Sequence, residues 1–144
     1  TPLTEDMISE VDYTILPNGN GLPMGSGTPV EGLKIYDTHC IACHGAKGID
    51  GINGSLVGGL GSLSSNRPIK TVGSYWPYAT TIFDYIRRAM PLTAPGSLSN
   101  DEVYAVTAYL LYLNQIINDI DEINSNTLPL IKMPNQDGFT WAYD

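Results

Sequence analysis

The only two cysteines of the chain stand three residues apart, and a histidine follows the second directly: Cys40-Ile41-Ala42-Cys43-His44. Two thiols at that spacing near a helix end can form thioethers along one edge of a porphyrin while the adjacent imidazole reaches its iron. This is the attachment pattern of a c-type haem. Three other readings compete: a structural disulfide, a redox-active dithiol and half of a zinc site. A zinc site asks for four ligands, and the only other histidine, His39, adjoins the motif but faces another direction on a helix, as a solvent-exposed residue would. A redox dithiol usually accompanies a βαβ pattern, and none is visible. The residues therefore favour one covalently held haem c.

Its iron needs a sixth ligand, and Met7, Met24, Met90 and Met133 are the thioethers on offer. Met90 is the candidate. It follows a helical stretch, precedes a proline that fixes the backbone, and lies 46 residues after His44, which leaves room for a loop to pass round the ring. Met133 also precedes a proline but lies beyond the last core helix, and Met24 sits in a flexible arm. The bland reading of any methionine is core filler. A His/Met pair raises the reduction potential relative to a bis-histidine site. Between the two ligand segments Arg67 and Lys70 stand with Tyr75, Trp76 and Tyr78. Arg67 and Trp76 are the candidate propionate contacts, because charge-assisted hydrogen bonds are the strong kind. The competing reading makes the bases solvated and the aromatics ordinary core.

The elements that must position these residues are helical. Thr28-Pro29-Val30-Glu31 supplies a capping threonine, a proline at the first helical position and a glutamate three residues after the cap, which predicts a helix from about Pro29 to Ala42. Gly32 and Tyr36 share one face of it, so another helix can approach at the glycine and pack on the ring. Seven glycines between Gly45 and Gly61 exclude regular structure there and suit a loop wrapped around a bound group. Ile82, Phe83 and Ile86 predict a second helix over 78–89, stopped at Met90-Pro91. Ser99-Asn100-Asp101-Glu102 is another capping box, and Val103, Val106, Leu110, Leu113 and Ile117 continue from it as one apolar stripe. Pro17 to Gly27 reads as an arm, and the acidic run Asp119-Ile120-Asp121-Glu122 with Pro129 and Pro134 as a tail lying over the body. No strand pair or internal repeat is evident. The expected division is an N-terminal extension over 1–28, a haem domain over 29–117 and a C-terminal extension over 118–144.

Length and charge narrow the function. With 144 residues the chain affords one modest core. The longest apolar stretch, Tyr104 to Leu113, falls short of the roughly 20 residues a membrane span needs. Fifteen acids against seven bases give a net charge of −8, so a nucleic acid backbone or an anionic membrane surface would repel it. The acids crowd the flanks: residues 32–100 hold three acids and six bases, a mildly basic centre that suits two propionates. The first residues carry neither the basic nor the apolar region of an export signal, so the N-terminus reads as a mature end or an artificially trimmed one.

With Cys40 to His44, Met90-Pro91 and a terminal helix carrying Tyr109 in hand, the core from about Pro29 to Asn114 resembles a class I cytochrome c: an all-α fold with helices packed around one covalently bound haem. More narrowly, residues 71–91 (TVGSYWPYATTIFDYIRRAMP), 97–114, 16–27 and 132–139 (KMPNQDGF) are similar to the cytochrome subunit of Sox-type sulfur (sulfane) dehydrogenases and related sulfite dehydrogenase cytochromes. The resemblance implies that the N- and C-terminal helices cross, placing Gly32 and Tyr36 against Tyr109. It implies electrons taken one at a time from a separate molybdenum-containing subunit and passed to another periplasmic cytochrome. It also implies a proline about ten residues after the haem histidine whose backbone orients the imidazole; here that stretch is Gly54-Ser55-Leu56, so the acceptor behind His44 is unassigned.

The expectation is therefore a periplasmic monohaem electron carrier that makes no bonds of its own, serving as a subunit of a molybdenum sulfur-compound dehydrogenase. The alternative is a free shuttle of a respiratory chain feeding a terminal oxidase. A third reading, in which the haem itself catalyses with Met90 displaced, needs a labile sixth site.

Overall fold

The computed structural model describes residues 2–7 and 14–139. The outermost parts of the two expected extensions, residues 1, 8–13 and 140–144, lie outside the described residues. Thr28 opens the first core helix, α1 (Pro29–His39), by accepting the Glu31 N–H on Oγ1 at 3.4 Å and donating to Glu31 Oε1 at 2.9 Å. The helix ends three residues short of the sequence expectation. Cys40 leaves the helical region (φ −121°, ψ −33°), and a separate turn, α2 (Ile41–His44), follows and closes at Gly45 with φ 80°. No proline or glycine between His39 and Ala42 announces this break. Its cause is tertiary: Tyr36 Oη donates to the Gly45 carbonyl at 2.6 Å and draws the turn back onto α1.

Helix α3 (Ala79–Ala89) stops where Met90 adopts extended geometry ahead of Pro91. Helix α4 (Asn100–Leu113) carries the full capping box: Ser99 N–H donates to Glu102 Oε1 at 2.9 Å, and Glu102 N–H to Ser99 Oγ at 3.2 Å. Every residue from Val103 to Leu111 is buried, so α4 is the central element rather than a surface helix with one apolar face. Helix α1 crosses it at Gly32, where a Cβ would collide with the Ala105 carbonyl, and the rings of Tyr36 and Tyr109 lie 5.3 Å apart. That crossing is the one the spacing and the resemblance anticipate. From α3, Phe83 packs on Tyr104 at 4.4 Å between ring centroids.

The strands are a second departure from the sequence reading. Two-residue strands β1 (Ser26–Gly27) and β2 (Ile123–Asn124) pair antiparallel, with Ser26 opposite Asn124 and Gly27 opposite Ile123. Each is too short for a two-residue periodicity to show. The arm reaches this position because Gly27 has no Cβ to strike the Ala105 backbone, and because Ser26 N–H donates to Asp101 Oδ1 at 2.9 Å. Tyr104 Oη adds a bond to the Pro23 carbonyl at 2.6 Å. The tail does lie over the body, with Ile123, Leu128 and Met133 fully buried and Asn135 Nδ2 donating to the Tyr75 carbonyl at 2.8 Å. Among the described residues no helix is long and apolar enough to cross a membrane.

Candidate haem site

The end of α1, the α2 turn, the glycine-rich loop, α3 and the inner face of α4 enclose a cavity of about 430 Å³, within the usual range for cofactor pockets. Cys40, Cys43 and His44 line one part of its wall, and Met90 and Pro91 another. Ile82 and Ile86 of α3 with Val106 and Leu110 of α4 supply an apolar lining, and Trp76 stands edge-on to Tyr85 at 5.7 Å on the same cavity. Two segments far apart in sequence thus bring two thiols, an imidazole and a thioether to one apolar space.

The chemistry of this donor set separates the readings left open by the motif. Both cysteines are free of disulfides. Burial first, and then the charge of Cys43, push the Cys40 thiol up to about 11. A reactive dithiol shows the opposite shift. Among the described residues no group of three or more His, Cys, Asp or Glu is arranged to hold a metal ion. A cavity lined by two thiols, an imidazole, a thioether and hydrocarbon fits a covalently tethered haem.

His44 Nδ1 is buried and has no hydrogen-bond partner among the described residues. The loop beside it is held by its own backbone and by side chains from elsewhere. Asn53 N–H donates to the Cys43 carbonyl at 3.0 Å and Leu56 N–H to the Gly48 carbonyl at 2.7 Å. Asn114, at the end of α4, accepts the Gly58 N–H on Oδ1 at 3.2 Å and donates through Nδ2 to the carbonyls of Leu56 (3.3 Å) and Leu110 (2.8 Å). Thr71 Oγ1 donates to the Gly58 carbonyl at 2.9 Å, and Ser74 Oγ to that of Ile69 at 2.6 Å.

The remaining sequence candidates are placed as follows. Trp76 is half-buried on the cavity wall. Arg67 does not line it: its side chain is exposed, and its backbone N–H donates to Ser65 Oγ at 3.2 Å. Lys70 sits over the Tyr75 ring, 4.9 Å from its centroid. Met133 is fully buried in the core away from the cavity, and Met24 is 91% exposed. His39 is exposed, as the sequence suggests, yet lines the cavity rim. Tyr85, Leu92 and Leu98 also line the cavity without any signal in the sequence, and the hold of Asn114 on the loop had none either, since an asparagine after a helix reads simply as a cap.

The chain matches the family described as cytochrome C oxidase, cbb3-type, subunit III over residues 27–110. No curated protein matches it. Among solved structures it is similar to the crystal structure of the sulfane dehydrogenase SoxCD from Paracoccus pantotrophus, with 40% sequence identity and a TM-score of 0.89. The match covers 97% of this chain and 70% of that one.

Proposed function

The chain belongs to the cytochrome c oxidase, cbb3-type, subunit III family and is a class I c-type cytochrome, an electron-transfer protein; we propose that it holds one haem and relays single electrons from a molybdenum-containing sulfur-compound dehydrogenase to another cytochrome in the periplasm. In this reading Cys40 and Cys43 tether the ring through thioethers. His44 supplies the nitrogen ligand and Met90 the sulfur ligand. Ile82, Ile86, Val106 and Leu110 exclude water, and Trp76 is the donor assigned to a propionate. Arg67, exposed and off the cavity, has no contact in the structure that supports the same role. The bound haem supplies a one-electron iron couple, which a His/Met pair sets higher than two histidines would.

The observation that carries the reading is the convergence of Cys40, Cys43, His44 and Met90 on one apolar cavity. The sulfur partner rests on the 40% identity with a sulfane dehydrogenase chain over nearly the whole of this one. The acidic flanks are proposed to frame the docking surface, where complementary charge speeds encounter. A second reading, a free shuttle feeding a terminal oxidase, has in its favour the respiratory oxidase in the family's description.

Acid denaturation followed by extraction with organic solvent should leave the colour on the polypeptide; colour in the solvent overturns the tether. Replacing Met90→Ala should abolish the far-red absorption band of a methionine–iron bond and lower the potential, and an unchanged spectrum would remove Met90 as ligand. Purification from the native source separates the partners. A stable one-to-one complex with a molybdenum protein is the expected result, whereas a monomer that reduces an oxidase at salt-dependent rates establishes the shuttle.

A further inference from the structure

The segment Lys132 to Phe139 (KMPNQDGF) lies far along the chain from the haem motif, and the assignment of ligands makes no use of it. Met133 fastens it: its side chain is fully buried, and its carbonyl accepts the Gln136 N–H at 3.1 Å, closing a turn over Pro134 and Asn135. From this turn Asn135 Nδ2 donates to the Tyr75 carbonyl at 2.8 Å, and the Phe139 ring meets that of Tyr75 edge-on at 5.2 Å. A carbonyl lies in the plane of the peptide bond that follows it, so the Tyr75 oxygen shares its plane with the backbone nitrogen of Trp76. The plane before Tyr75 is held within its own turn, where Tyr75 N–H donates to the Thr71 carbonyl at 3.0 Å. The plane after it, from which Trp76 hangs, is held by Asn135. On its other side Trp76 precedes Pro77, which confines it to extended backbone. Its ring stands edge-on to Tyr85 of α3 at 5.7 Å, and both rings line the cavity.

We infer that Asn135 is a positioning residue for Trp76, so that the C-terminal tail, 60 residues along the chain from Tyr75, sets one part of the cavity wall. The inference rests on the haem reading of the cavity and on Trp76 as the donor to a propionate, and it names the residue that keeps this donor in place. A hydrogen bond weakens steeply once its donor leaves the line and the range of about 3 Å. A Tyr75–Trp76 peptide plane free to turn would therefore lose the contact at the indole, even with Met133 still packed in the core.

The test uses the ferrous holoprotein grown on isotope-labelled tryptophan, in which two indole N–H groups, those of Trp76 and Trp141, give magnetic resonance signals; Trp76→Phe removes one and so assigns both. In Asn135→Ala the Trp76 signal should move, and its N–H should exchange with solvent about tenfold faster. The oxidised-to-reduced ratio at a fixed poise should rise as well, because a propionate that loses a donor keeps more of its negative charge and favours ferric iron. Lys132→Gln removes the neighbouring ion pair but keeps the bond to Tyr75, and should leave the signal in place. An unmoved Trp76 signal in Asn135→Ala overturns the inference. So does an equal movement in Lys132→Gln, which would make the effect one of the tail as a whole. The propionate reading fails separately: an unchanged potential in Trp76→Phe removes that contact, while a moved indole signal in Asn135→Ala still assigns the hold on Trp76 to Asn135. Should Asn135→Ala not fold, Asn135→Asp keeps the shape and puts an oxygen that repels the Tyr75 carbonyl where the donor stood. There the indole signal alone is read, because the carboxylate moves the potential by its own charge, and an unmoved signal overturns the same point.

Discussion

The crossing of α1 on α4 and the glycine-rich run from Gly45 to Gly61 both abut the Cys40–His44 turn, yet they are held by different forces. At the crossing, contact is between surfaces: Gly32 admits the Ala105 backbone, the Tyr36 and Tyr109 rings meet, and α4 is buried nearly all round. In the loop, contact is between single polar atoms, with Asn114 and Thr71 holding opposite sides of Gly58. Close packing tolerates almost no added volume, while a hydrogen-bonded loop fails one bond at a time. The turn proposed to tether the haem is thus set against a rigid support, and the neighbouring wall is adjustable.

The largest expected effect tests the rigid support. In Gly32→Val the new side chain meets the Ala105 carbonyl and Tyr109 Cβ, which are backbone or close to it and cannot swing aside. Destabilisation should reach at least about 3 kcal/mol, read as the shift in denaturation midpoint at constant slope. Near-native stability would show that the crossing has slack and that the contrast with the loop is false.

How much could be read beforehand follows the same division. The two helices and a close approach at Gly32 were legible because Gly32, Tyr36 and the stripe from Val103 to Ile117 recur at helical spacing and because Thr28 and Ser99 announce their helices, while the resemblance to class I cytochromes c implied that these two cross. Periodicity is a property of neighbours in sequence. The loop was legible only as glycine-rich. The residues that fix it, Asn114 and Thr71, lie 56 and 13 residues from Gly58, and no local pattern marks such a pair. The break at Cys40 and the β1–β2 ladder escaped for the same reason, since each depends on a distant partner: Gly45 drawn in by Tyr36, and the arm drawn onto α4. Cys40, Cys43, His44 and Met90 could be placed in one cavity because a motif and a proline-stopped helix are both local signals.

Alkaline titration loads the tyrosines that anchor the packed side. Burial foremost pushes the hydroxyls of Tyr36 and Tyr104 up to about 12 from an ordinary 10, and both donate to carbonyls. The folded form holds these protons more tightly than the unfolded one. Their contribution is therefore complete below pH 10 and is lost as pH rises through about 12, up to about 3 kcal/mol for each. Tyrosinate absorbance should show these two rings ionising late and together with unfolding. Ionisation near pH 10 with the fold intact would mean that the packing around these two rings admits water.

A smaller effect probes the loop. Thr71→Val preserves shape but removes the hydroxyl that donates to the Gly58 carbonyl and accepts the Ser74 N–H at 3.1 Å. The loss should be about 1–3 kcal/mol, because buried partners are left unpaired. Hydrogen exchange localises it: loop amides should exchange faster while those at the centre of α4 keep their protection. Equal loss of protection in both regions would merge them into one cooperative unit and remove the distinction drawn between them.

The smallest effect concerns the tail. It carries an ion pair, Lys132 Nζ to Asp137 Oδ2 at 2.7 Å, but both side chains are mostly in water, 64% and 83% exposed. Such a pair contributes within about 0.5 kcal/mol and weakens further with salt. Ile123, Leu128 and Met133, by contrast, are completely enclosed, so the tail is fastened by the same kind of packing as the α1–α4 crossing. Lys132→Gln should therefore leave the denaturation midpoint unchanged at low and at high ionic strength. A salt-dependent drop would show that the tail is held by charge, and would move it from the packed half of the molecule to the half fixed by single polar contacts.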